Sequence, residues 1–249
     1  MVNRRGKWKL LNVRIVLLLL FSVAISLSSR LQAEEPPQFY DPVEKQIEGW
    51  TVAVDPLLFS QEHADTGKRA LEALANHLQR VKYIVPEERV TDLQKLRIWV
   101  EWNNKKLNTM AYHPSKAWLI AHGHDPRLAK HIHISSVQKL LDRKMWAKHP
   151  YCVLHELAHA YHDQVLSFDH ADIVATYNAA KEKGIYEKVL VHTGKEARHY
   201  GLNNHKEYFA ESTEAYFGVN DFYPFVRAEL KAHDPAMYAL MVKLWGPIP

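Results

Sequence analysis

From Leu154 to Leu166 the chain carries neither proline nor glycine, and Leu154, Leu157, Ala158, Tyr161 and Val165 recur along one helical face. This predicts an amphipathic helix anchored in a core, and the helix contains His155-Glu156-x-x-His159. Residues four apart on a helix stand one above the other, so both imidazoles project from one face and can share a metal ion. Glu156 follows His155 by about 100° around the helix. Its carboxylate then lies beside the ion and can act on bound water without being a ligand. In a chain with 16 histidines the pattern also arises by chance, so it needs support from elsewhere in the sequence.

Two histidines do not complete a catalytic zinc site, which takes three protein ligands and one water. The stretch Tyr200-Gly201-Leu202-Asn203-Asn204-His205-Lys206-Glu207-Tyr208-Phe209-Ala210-Glu211 is the place to look for the third. Glu207 and Glu211 lie four apart on a helix expected from Asn204 to Phe217 and closed by Gly218, so they share a face. One can bind the metal, and the other can take the N–H of a ligating histidine and fix its tautomer. His205 is a rival ligand, as is His162, three residues past His159.

The metal helix, Tyr200-Gly201 and Glu207-Tyr208-Phe209-Ala210-Glu211 together resemble the catalytic domain of anthrax toxin lethal factor and its secreted relatives, gluzincin-type zinc metallopeptidases. The resemblance spans about residues 150–217. It implies one catalytic zinc ion held by His155, His159 and Glu207, with Glu156 as general base. It also implies that Glu211 supports a ligand from behind and that Tyr200 donates to the transition state. Asn220-Asp221-Phe222-Tyr223-Pro224 is similar to a segment of secreted fungal conidiation-specific proteins.

Around the motif the pattern is mixed. Trp50–Val54 and Arg97–Trp102 read as strands, and Thr66–Tyr83 as a helix with Asp65 or Thr66 as N-cap. A short helix fits Pro86–Lys95, and another runs from Ser115 to Ile120. The polar run Asn103–Pro114 reads as a loop. His131–Ser135 alternates and is expected to be the edge strand near the metal, pairing with substrate backbone and presenting His131 and His133 on one face. Downstream, Asp172–Lys183 is helical and stopped by Gly184, and a hairpin turns over Thr193-Gly194. Two amphipathic helices follow, near Phe222–Lys231 and Pro235–Trp245.

The first 33 residues hold six basic and no acidic side chains, then an apolar run Ile15–Leu27 and a small residue, Ala33. That is the anatomy of a signal peptide cleaved after Ala33, and the run is short for a membrane span, which needs about 20 residues. Removing the leader leaves 26 basic against 28 acidic residues, so the basic balance offers no nucleic-acid surface. Cys152 is the only cysteine, so no internal disulfide is expected.

The expectation is an α+β, zincin-like domain over residues 34–249, with a small mixed sheet, an active-site helix and a helical C-terminal lobe. It would be a secreted or periplasmic monomer, free of membrane and nucleic acid. A zinc-activated water, with Glu156 as general base, would hydrolyse a peptide or protein substrate. Two other readings share the motif: a non-catalytic zinc-binding protein, favoured by a fourth protein ligand, and a peptidoglycan or small-amide hydrolase.

Overall fold

The computed structural model describes residues 39–248; the expected leader and its cleavage point lie outside the described residues. In chain order the elements are β1 (Val43–Ile47), β2 (Trp50–Val54), α1 (Ala64–Ile84), α2 (Glu87–Leu93), β3 (Arg97–Val100) and β4 (Met110–Tyr112). Next come α3 (Lys116–Ala121), β5 (His131–Ile134), α4 (Val137–Leu141), α5 (Arg143–Lys148) and α6 (Cys152–Tyr161). The last part holds α7 (Ala171–Lys183), a hairpin of β6 (Val189–Leu190) and β7 (Glu196–Ala197), then α8 (His205–Phe217), α9 (Arg227–His233) and α10 (Pro235–Trp245). The architecture is α+β.

The main sheet has the order β1-β2-β3-β5-β4, with β2, β3 and β5 parallel and both edge strands antiparallel. Val52, Val54, Ile98, Val100, Ile132 and Ile134 lie in the main core with Leu74 and Leu78 of α1 and Leu154 and Leu157 of α6. Ala53 and Trp99, of opposite parity, form a smaller apolar cluster with Leu119 and Leu128. Ala53 of β2 and Trp99 of β3 thus give those two strands buried apolar residues on both faces.

Three expectations need correction. His131–Ile134 is an inner strand, and the edge strand is Met110–Tyr112, inside the segment read as a loop. Three residues in a polar context give no periodic signal; pairing with β5 makes this strand. His131 and His133 do share a face, but it is the Trp99 face, where His133 is fully buried within 3.0 Å of His113 and 3.5 Å of Glu101. Second, a strand precedes Trp50–Val54: β1 is polar and mostly exposed, so it carries no hydrophobic pattern. It turns into β2 through Glu48 and Gly49, both at positive φ. Third, α1 begins at Ala64 with His63 as N-cap, and no side chain caps it.

The C-terminal lobe is fastened to α6 by aromatic packing. Trp245 of α10 stacks on Tyr161 with centroids 4.4 Å apart and donates its indole N–H to Thr213 at 3.2 Å. Buried Asp234 accepts the hydroxyls of Tyr208 (2.5 Å) and Tyr186 (3.2 Å) and caps α10 at Met237 N–H.

Candidate metal centre

The α6 helix brings His155 and His159 to the boundary between sheet and C-terminal lobe, and α8 brings Glu207 to meet them. Asn204 sets the start of α8: its side chain accepts from the N–H groups of Lys206 and Glu207 at 2.9 and 3.0 Å. Glu207 is therefore the third residue of the helix, with its backbone fixed by the cap.

The three side chains converge on one point. His155 Nε2 and His159 Nε2 approach to 3.1 Å, and Glu207 Oε2 lies 3.3 Å from the first and 3.2 Å from the second. Neighbouring donors around a tetrahedral zinc with bonds of about 2.0–2.1 Å are separated by about 3.3–3.4 Å. The spacing and the donor set, two imidazoles and a carboxylate, fit such an ion. His162 and His205, the rival ligands, stand apart from this group. His162 is fully buried against Phe168 and Phe209, and His205 donates to the Phe168 carbonyl at 2.8 Å. Among the described residues the group has three members, which leaves a coordination position open.

Glu156 stays outside this group. Its Oε2 accepts the backbone N–H of Tyr112 at 2.8 Å, so the edge strand β4 holds the carboxylate in place. The Tyr112 hydroxyl donates to Asp163 at 2.5 Å, and Lys130 also pairs with Asp163. Asp163 lies in a π-helical turn, His162–Leu166, that continues α6. One strand residue is thus tied to two carboxylates of the metal helix and its extension. Burial raises the pKa of Glu156, against the pull of the His155 and His159 imidazoles. Burial works the same way on Glu207, but the two imidazoles outweigh it and hold that carboxyl below the usual range.

Glu211 is placed differently from the expectation. It is buried, but it stands 3.8 Å from His155 Nδ1, whereas Glu214 Oε1 stands at 2.7 Å. The contacts climb α8 as they descend α6. A glutamate side chain also leans toward the N-terminus of its own helix, so the residue that reaches His155 lies one turn beyond Glu211. Glu214 also accepts from His149 Nε2 at 2.8 Å. Burial and then the neighbouring Glu214 charge push the Glu211 carboxyl up. Glu214 and His149 were not singled out in the sequence, although Glu214 falls two turns after Glu207 on the same stripe.

Tyr200 sits in a single 3-10 turn, Tyr200–Asn203, just past the hairpin. Gly201 allows this turn to lie close to α8: a Cβ there would come within 3.2 Å of Tyr208 Cα and 3.0 Å of His199 Nδ1. Tyr200 is 46% exposed. It shares with His155, Glu156 and Glu211 the wall of a cavity of about 450 Å³, to which Met110 and Phe222 also contribute.

The family model for anthrax toxin lethal factor, N- and C-terminal domain, matches residues 70–244, well over half of the chain. The chain belongs to the anthrax toxin lethal factor family. The match takes in the sheet strands from β3 onward, the metal helix and the C-terminal lobe as far as Leu244, so it reaches well beyond the two motifs that carried the resemblance. Lethal factor-like proteins are zinc-dependent in general, in keeping with the donor set at His155, His159 and Glu207. No curated protein and no solved structure matches the chain.

Proposed function

We propose that this chain is an exported zinc metallopeptidase that hydrolyses peptide bonds with Glu156 as general base. The observation that carries the reading is the convergence of His155, His159 and Glu207 at tetrahedral spacing, with Glu156 and Tyr200 lining a cavity beside His155. Zinc held by those three residues would supply a Lewis acid for a carbonyl oxygen and a water acidic enough to lose its proton near neutral pH.

The remaining chemistry belongs to the chain. Tyr112 N–H engages Glu156 Oε2, which leaves Oε1 to take a proton from water and to return it to the leaving amine. Tyr200 offers a phenol O–H on the cavity wall to a carbonyl oxygen as charge builds on it. Thr109 and Met110, at the start of the edge strand, line the same cavity, and a strand edge there suits an extended peptide backbone. Placement of His162 and His205 away from the ligand group weighs against a closed, purely structural zinc site.

The test is metal analysis and peptide-library cleavage with the purified protein, its Glu156→Gln variant and its Glu207→Ala variant. The wild type should carry about one zinc and cleave peptides. Glu156→Gln should keep the zinc and lose hydrolysis by several orders of magnitude, and Glu207→Ala should lose the zinc itself. Equal metal loss in both variants, or no zinc in the wild type after reconstitution, would overturn the assignment.

A further inference from the structure

Behind the candidate ligands lies an array that the proposed chemistry does not use. Glu214 is 0% exposed, yet its Oε1 lies between two imidazoles, 2.7 Å from His155 Nδ1 and 2.8 Å from His149 Nε2. Its Oε2 also comes within 2.7 Å of His149 Nε2. Buried carboxylates persist only where hydrogen-bond donors or cations meet them, and here two imidazoles do so, His149 from just before α6 and His155 from within it.

The donor count gives the array a direction. An ionised carboxylate can only accept, so His155 must carry a proton on Nδ1 to meet Glu214. A neutral imidazole has one bare nitrogen, and with Nδ1 protonated that nitrogen is Nε2. It is Nε2 that faces His159 and Glu207 at 3.1 and 3.3 Å. The same count argues against a second metal among His149, His155 and Glu214, close though they lie, because His155 has no second lone pair to give.

We propose that Glu214, braced by His149, is the residue that positions His155 for metal binding, and that Glu211 is not. The inference rests on the zinc reading of the site. Glu214 fixes both the tautomer of His155 and the direction of its ring, and it makes Nε2 a stronger donor by drawing on the proton at Nδ1. His149 acts one step further out. Sitting just before α6, it holds the carboxylate oxygen on the line to His155 and gives the fully buried Glu214 a second polar partner. Glu211, at 3.8 Å from Nδ1, is too distant for a hydrogen bond.

The test is zinc titration of metal-stripped wild type, Glu214→Gln, Glu211→Gln and His149→Phe against a competing chelator. Thermal melts confirm that each variant folds. Wild type should take up about one equivalent, and Glu214→Gln should bind about 10–100-fold more weakly. His149→Phe should weaken binding less, and Glu211→Gln should stay close to wild type. An unchanged affinity in Glu214→Gln, or a loss confined to Glu211→Gln, overturns this inference and leaves the zinc reading intact. Absence of zinc uptake by the wild type overturns that reading, and this inference with it. Should Glu214→Gln fail to fold, proton NMR of the zinc-loaded wild type decides the matter. The Nδ1–H of His155 should appear far downfield and exchange slowly, as a donor to a buried carboxylate does. Exchange as fast as that of a solvent-exposed imidazole overturns the proposal.

Discussion

Replacing His77 by phenylalanine should flatten the acid limb of the stability curve. His77 lies on α1, 4% exposed, with its ring stacked 4.0 Å from that of Trp146. Burial, and then the positive Arg80, push its pKa down from 6.5 to about 4. The folded chain therefore binds fewer protons at this site than the unfolded chain between those two values, and stability falls as pH falls through that window. The full contribution is present above pH 6.5 and declines by about 1.4 kcal/mol per pH unit below it, until about pH 4. At about pH 5 the wild type has lost about 2 kcal/mol from His77 alone relative to about pH 7.5. His77→Phe keeps a flat ring against Trp146 and has nothing to protonate. Urea unfolding of both proteins at the two pH values gives the answer as a difference of differences, in which titrating groups that do not interact with His77 cancel. His77→Phe should lose about 2 kcal/mol less on acidification than the wild type, whatever its stability at neutral pH. Equal losses in the two proteins would show that His77 titrates in the folded state as it does in the unfolded one, and would refute the argument.

Other perturbations probe other parts of the molecule. Tyr200→Phe should keep its zinc and melting temperature, because it removes only a hydroxyl from a half-exposed ring. Its kcat on the best peptide substrate should fall about 10²–10³-fold with little change in KM, and wild-type kcat would remove the phenol from the chemistry. Gly67→Ala should destabilise the fold by about 1–3 kcal/mol in urea titrations, because its Cβ would come within 2.2 Å of the Leu58 backbone oxygen. A neutral result would mean that α1 can slide on the turn beneath it. Trp245→Ala should cost about 3–5 kcal/mol, as it removes the stack on Tyr161 and the donor to Thr213. A loss below 1 kcal/mol, roughly, would place the fastening of the C-terminal lobe elsewhere.

How much of this was legible beforehand depended on whether the signal was periodic. The metal helix, the helix carrying Glu207, the inner strands and the closing glycines all announce themselves through spacing of three, four or two residues, or through a residue with a fixed conformational use. Gly184, at φ 66°, is such a case. Elements that tertiary contact creates were invisible. Met110–Tyr112 is a strand because β5 pairs with it and because Tyr112 reaches Glu156 and Asp163, both more than forty residues away. The contact to His155 Nδ1 was harder to read, for a subtler reason. The i, i+4 rule correctly put Glu207 and Glu211 on one face, but it says nothing about the lean of a side chain along its own helix. That lean hands the contact to Glu214. Tyr200 stands in the turn after the hairpin, whose second strand already stops at Ala197, a boundary that backbone hydrogen bonds decide.

Glu207 lies 48 residues beyond His159, on a helix that starts only after α7 and the β6–β7 hairpin have been laid down. During synthesis the two imidazoles therefore emerge long before their carboxylate partner, and a site with only two ligands has little hold on an ion. Metal capture would then report on completed assembly, because the third donor would arrive only once the C-terminal lobe had docked against α6. An ion that binds the docked form alone then shifts the docking equilibrium in its favour by RT ln(1 + [L]/Kd), about 2.7 kcal/mol at a hundredfold excess over Kd. The ion would thus act as a latch on the lobe, and its removal should make the connection between α6 and α8 the first place that a proteolytic probe finds.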